Sequence, residues 1–226
     1  MRTFGVFAKK PVIGAVKTRL AADTTSEWAS DVAAAMFADT LDRVAPVDAQ
    51  RVIAFAPSDA RQWFETAANG RFGIELQADG DLGRRLQLFF ERQIAGGADA
   101  IVAIGTDSPT LPVAFIEQAF HLLESHDVVL GPAQDGGYYL IGCGRRLPPV
   151  FDGITWGTAD VLAQTARRLD NPAWRLALLP PWYDIDTLDD WRMLCGHLAA
   201  MRRAGIDPGV PQTEALANPI AKRASS

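Results

Sequence analysis

Seven short apolar runs, separated by longer stretches of helical period, restrict this chain to an alternation of strands and helices. The runs lie at 3–8, 51–56, 72–77, 100–105, 127–131, 138–142 and 174–179. Helical patterns occupy 26–44, 58–68, 82–94, 112–123, 156–169 and 188–203. In the first of these, Trp28, Val32 and Met36 recur every fourth residue, with Ala33, Phe37 and Leu41 beside them, and Ser26 is the expected N-cap. Leu86, Phe89, Phe90 and Ile94 share one side of 82–94. Pro112 suits a first helical turn. Thr187 and Asp190 resemble a capping box with Asp in place of Glu. Such alternation builds βαβ units, and right-handed crossovers then set helices on both faces of a mainly parallel sheet. Composition shows no break across residues 1–204, which read as one α/β domain. Residues 205–226, rich in Pro and Ala and without sustained period, read as an irregular C-terminal tail.

A chain of 226 residues with 48% hydrophobic content has material for a substantial core. Its net charge of -5 argues against a broad nucleic-acid surface. Two cysteines, Cys143 and Cys195, suffice neither for a disulfide framework nor for a zinc site, and read as buried reduced thiols. No run reaches the roughly 18 apolar residues of a membrane span, and the first apolar run ends at Lys9, unlike a secretory signal. A cytoplasmic protein is the expectation.

Against that acidic background the first strand runs into a basic loop. Lys9, Lys10, Lys17 and Arg19 fall within eleven residues that also contain Pro11 and Gly14. Open α/β sheets bind ligands at the carboxyl ends of their strands. A cationic loop there suits a phosphate-bearing ligand, although most charge runs are simply solvated. It is not a P-loop: Val16, not Gly, precedes Lys17, and the first required Gly is missing. Gly-x-Ser-x-Gly is absent, which disfavours a serine hydrolase, and His121, His126 and His197 lack metal-ligand spacing.

Three later segments carry carboxylates to strand ends. The run 100–105 delivers Thr106-Asp107-Ser108-Pro109; Asp107 suits a hard divalent cation, or equally a turn before the next helix. Asp135-Gly136-Gly137 followed by Tyr138 and Tyr139 reads as a loop that lets a ligand approach the main chain, or as a hairpin turn. Asp184 and Asp186 are two apart, so in extended backbone they face the same side. The approach to the Thr187-capped helix accounts for Asp186, which leaves Asp184 as the stronger functional candidate. Gly80-Asp81-Leu82-Gly83-Arg84-Arg85 offers a further helix start, read as structural.

The order of these motifs resembles an uncharacterised bacterial glycosyltransferase-A-like family of the nucleotide-diphospho-sugar transferase superfamily. Phe7-Ala8-Lys9-Lys10-Pro11 with Lys17-Thr18-Arg19-Leu20, Gly105 to Pro109, and Asp135 to Tyr139 carry the resemblance, which spans about residues 3–200. It implies a Rossmann-like three-layer α/β/α sandwich that binds a nucleotide with Mg²⁺ or Mn²⁺. It also implies that Lys9, Lys10, Lys17 and Arg19, with Gly136 and Gly137, hold phosphates or nucleotide. Asp107 would anchor the metal with Asp184 or Asp186, and Asp107, Lys17 and Asp135 would carry the chemistry. Glycosyltransferases of this fold usually carry Asp-x-Asp at the metal strand, whereas this chain has Thr106-Asp107-Ser108. The segment from Ala15 to Leu20 and the Asp-Gly-Gly loop resemble the phospholactate guanylyltransferase branch.

The expected activity is a Mg²⁺-dependent transferase taking a nucleotide-activated donor and a small-molecule acceptor. Whole-chain resemblance favours glycosyl transfer from a nucleotide-diphospho-sugar. The alternative is nucleotidyl transfer from a triphosphate to a small phosphorylated acceptor, with release of pyrophosphate. A non-catalytic nucleotide-binding module is the third reading.

Overall fold

The computed structural model describes the backbone of residues 1–223 and side chains as far as residue 217. Its strands are β1 (Arg2–Lys9), β2 (Gln50–Ala56), β3 (Gly73–Leu76), β4 (Ala100–Ile104), β5 (Val128–Pro132), β6 (Tyr138–Gly144) and β7 (Leu176–Leu178). Its helices are α1 (Thr18–Ala22), α2 (Ser26–Val44), α3 (Arg61–Ala68), α4 (Leu82–Ala95), α5 (Val113–Leu122), α6 (Val161–Arg167), α7 (Leu188–Arg203) and α8 (Pro211–Arg223). All seven expected strands form, within a few residues of their expected bounds. The strands make one sheet in the order β3-β2-β1-β4-β6-β5-β7. Only β6 runs against its neighbours; the β1–β2, β1–β4, β2–β3 and β5–β7 ladders are parallel.

Side-chain alternation along the strands divides the core between the two faces. Phe4, Val6 and Ala8 of β1 join Ile53, Phe55, Val102 and Ile104 beneath α2, α3 and α5. On the opposite face Val52, Ala54, Ile101 and Ala103 meet Leu86, Phe89 and Phe90 of α4. Gly5 makes room there, since a Cβ at that position would lie 2.6 Å from the Phe89 ring. A third cluster joins Leu20, Val32 and Met36 to Ile185, Trp191, Leu194 and Val210. Helix α2 therefore buries two sides: Phe37 and Leu41 face the sheet, while Val32 and Met36 face α7 and α8.

Several local expectations change. The expected irregular tail of 205–226 is largely helical where it is described: Pro211–Arg223 is α8, packed on α2, and residues 224–226 lie outside the described residues. The N-cap of α2 is Thr25 rather than Ser26, because the Thr25 side chain accepts the Trp28 N–H. Pro112 sits one residue outside α5, as its N-cap. Residues 156–160 stay out of the expected 156–169 helix, and α6 covers only Val161–Arg167. Cys143 is buried but Cys195 is only half-buried, and both thiols are free. The capping box forms, with Thr187 and Asp190 each bonding the other's backbone.

Candidate active site

At the carboxyl end of β4 the chain leaves the sheet at Gly105 and turns through Asp107 and Ser108. The segment before α7 runs alongside, tied by the Ile185 N–H to the Asp107 carbonyl at 2.9 Å. Ile185 is fully buried in the third cluster, so its neighbours Asp184 and Asp186 turn the other way. Three carboxylates from two distant stretches thereby line one pocket of about 270 Å³.

Lys17 reaches this point from the loop after β1. It adopts a left-handed backbone, φ 47°, at the N-cap of α1. Its ammonium bonds Asp107 and, at 2.9 Å, Asp186. The Lys17 side chain is 6% exposed. Burial opposes its charge, but Asp107 and Asp186 outweigh that cost and hold its pKa above the ordinary lysine value. Asp184 does not share the ammonium; it accepts a hydrogen bond from the Ser108 hydroxyl. Its pKa is pushed up to about 7, chiefly by burial, then by the charges of Asp107, Asp135 and Asp186, against the lowering effect of Ser108.

The Asp-Gly-Gly segment is the loop of the β5–β6 hairpin, as the turn reading expects, and it borders the pocket. Asp135 accepts the Gly137 N–H at 2.8 Å, and both residues line the pocket. Gly136 has φ +88°, and a Cβ there would fall 2.1 Å from the Ala159 carbonyl oxygen. The Leu162 N–H bonds the Gly136 carbonyl at 2.9 Å, fastening the loop to the start of α6. The remaining wall is apolar and comes from Phe7, Leu82, Leu86, Tyr138, Trp156 and Val161.

The structure thus gathers Lys17, Asp107, Asp135, Gly137, Asp184 and Asp186 about one pocket. It does not bring the other loop cations there. Lys9 donates to the Ala15 carbonyl at 3.0 Å, Lys10 lines a separate concavity with Gln62 and Trp63, and Arg19 is exposed on α1. Of the two late aspartates, Asp186 rather than Asp184 pairs with Asp107 across the lysine. Among the described residues no three His, Cys, Asp or Glu side chains are grouped closely enough to enclose a metal by themselves. Ser108 and Trp156 were missed as site residues: Ser108 acts only by holding Asp184, and Trp156 was assigned to a helix.

The bacterial family described as "Uncharacterized protein conserved in bacteria" (DUF2064) matches residues 40–158. A phosphoenolpyruvate guanylyltransferase of Mycobacterium leprae is 30% identical over 218 residues, covering 91% of this chain and 90% of that protein. The crystal structure of a candidate nucleotide-diphospho-sugar transferase from Desulfovibrio desulfuricans G20 superposes with a TM-score of 0.84 at 30% identity, covering 96% of each chain. A cytidylyltransferase from Leptospira borgpetersenii shares the fold at 14% identity, with a TM-score of 0.57 over 99% of this chain and 95% of that one. No helix among the described residues is long and apolar enough to cross a membrane. This chain belongs to the DUF2064 family, is related to the phosphoenolpyruvate guanylyltransferases, and is a transferase with the nucleotide-diphospho-sugar transferase fold.

Proposed function

We propose that the protein transfers a nucleotidyl group from a nucleoside triphosphate to a small acceptor and releases pyrophosphate. The observation that carries this reading is the Lys17 ammonium held between Asp107 and Asp186 at the pocket's acidic end. The guanylyltransferase relative, similar along nearly the whole chain, weighs for nucleotidyl over glycosyl transfer, towards which the sequence motifs leaned. In the reaction an acceptor oxygen attacks the α-phosphorus and the bond to the bridging β-phosphate oxygen breaks. Lys17 stabilises the charge that develops on the departing diphosphate oxygens. Arg19, exposed on α1 two residues after Lys17, adds positive potential on that side of the molecule.

Asp107 and Asp186 direct oxygen ligands at one cation-bearing point, the donor chemistry that Mg²⁺ or Mn²⁺ prefers. With only two carboxylates converging, such an ion would take its other ligands from phosphate oxygens and water, and would neutralise phosphate charge there. Asp135 and the Gly136-Gly137 backbone shape the acceptor side.

The test is product analysis across nucleoside triphosphates and nucleotide sugars, each with a panel of phosphorylated and neutral acceptors and Mg²⁺. Pyrophosphate formed from a triphosphate, and lost in Asp107→Ala, supports the reading. A nucleoside diphosphate released from a nucleotide sugar, with no pyrophosphate from any triphosphate, overturns it in favour of glycosyl transfer.

A further inference from the structure

The pocket is divided by chemistry. One end carries Asp107, Asp184 and Asp186, with Asp135 at its rim; the other is formed by Phe7, Leu86, Tyr138 and Trp156. Apart from Lys17, which Asp107 and Asp186 hold at the acidic end, no Lys, Arg or His borders it among the described residues. A multiply anionic acceptor would enter among like charges with no side chain to pair it beyond the donor's own end, and like-charge juxtaposition selects against such a ligand.

The apolar end is built, not incidental. Gly83 lets the Trp156 indole close on α4, since a Cβ there would lie 2.5 Å from Trp156 Nε1. Trp156 meets Tyr138 edge to face at 6.2 Å. Leu82 closes the same wall while remaining 45% exposed, an apolar surface left for something to cover. Burial holds the Tyr138 phenol far above its ordinary pKa, so this wall stays neutral.

We infer that the acceptor is an uncharged alcohol with an apolar or ring-shaped body, which packs on Phe7, Leu86, Tyr138 and Trp156 and turns its hydroxyl towards Asp135. The inference rests on the nucleotidyl-transfer reading for the reaction itself. The hydroxyl oxygen forms the new bond to the α-phosphorus as pyrophosphate departs, and the hydroxyl proton passes to the Asp135 carboxylate and on to water. This acceptor differs in charge and size from the phosphorylated acid named for the mycobacterial relative.

The experiment compares phenyl β-glucoside and trans-1,2-cyclohexanediol with phosphoenolpyruvate, using GTP, CTP, UTP or ATP and Mg²⁺, in wild type, Trp156→Ala and Leu82→Lys. The expected result is at least a tenfold higher kcat/KM for a neutral probe. Trp156→Ala should raise that probe's KM about tenfold and leave the triphosphate KM within twofold. Leu82→Lys, an exposed change that spares the fold, should shift preference towards phosphoenolpyruvate. Equal or better use of phosphoenolpyruvate by wild type overturns the inference. So does a Trp156→Ala defect confined to the triphosphate, which would make the apolar wall a base subsite. If no probe yields pyrophosphate, the nucleotidyl reading fails by itself, and calorimetric titration of the same probes still decides the pocket. Heat from the neutral probes that is lost in Trp156→Ala upholds it, whereas tighter phosphoenolpyruvate binding or no neutral-probe heat at millimolar concentration sinks it.

Discussion

Lys17 is the residue on which the acidic end of the pocket depends. Without its ammonium, Asp107 and Asp186 face each other unpaired, and no other side-chain cation lines that end among the described residues. Lys17→Met should lower the rate of pyrophosphate release by about 10²–10³-fold, the scale of losing one preorganised electrostatic contact. The melting temperature should fall by only about 2–4 °C, roughly 1 kcal/mol in a chain of this size, because the Asp107 side chain is 47% exposed and regains water. Asp184 yields a pH dependence. Its native pKa of about 7 lies above the ordinary aspartate value of 3.8. Between about pH 4 and 7 the native state keeps a proton that the unfolded chain has lost, so stability declines as pH rises through that window. Asp184→Asn should remove that contribution, worth at most a few kcal/mol, as read by urea denaturation at pH 5 and 8 in the presence of a chelator. Lys17, Asp107, Asp135, Asp184 and Asp186 were legible because each sits where a strand-length apolar run ends. Their division of labour was not. Which aspartate meets the lysine depends on Ile185 docking inward, and a two-residue spacing leaves that open.

At the scale of elements, α8 shows how a helix escapes a sequence reading. Its first turn is capped from α2: Asp39 accepts the N–H groups of Gln212 at 3.2 Å and Thr213 at 2.7 Å. Asp39 is fully buried, so the cap lies about 170 residues away in sequence and leaves no local signal. Arg43, one turn further along α2, joins α8 to the site. Its guanidinium donates to the Pro109 carbonyl at 2.8 Å and to the Pro208 carbonyl. The loop bearing Asp107 is thus braced by the segment entering α8. Asp39→Ala should cost roughly 1–3 kcal/mol by leaving the buried Thr213 N–H and the part-buried Gln212 N–H without their acceptor, measured by chemical denaturation. Arg43→Leu should lower kcat more than it raises the donor KM, because it loosens the Asp107 loop and removes no contact to the nucleotide. Helices α2 and α7 were legible to their last residue, since each carries its own cap and a full apolar period. Helix α1, with five residues, is too short to show one.

For the whole molecule, the sheet lies between the first two clusters, and α2 joins the first to the third. Loss of either face strips support from the other. Denaturation followed by tryptophan fluorescence and by far-UV circular dichroism should therefore give coincident single transitions; separated midpoints would mean that the α7–α8 layer melts independently. Sheet composition was legible from strand alternation, but strand order was not, because apolar runs carry no address for their partners. The reversal of β6 follows from the short link between Pro132 and Tyr138, too few residues for a parallel crossover. Because of that reversal the chain both arrives at and leaves the pocket rim inside the sheet, so ladders on β4 and β5 hold the intervening loop from either side. In evolutionary terms this makes the hairpin tip a place for exchange and not for growth. Its exposed side chain at Gln134 is free to change with each new acceptor, whereas Asp135 holds the Gly137 N–H, and Gly136, its backbone against Ala159, keeps an insertion from taking hold.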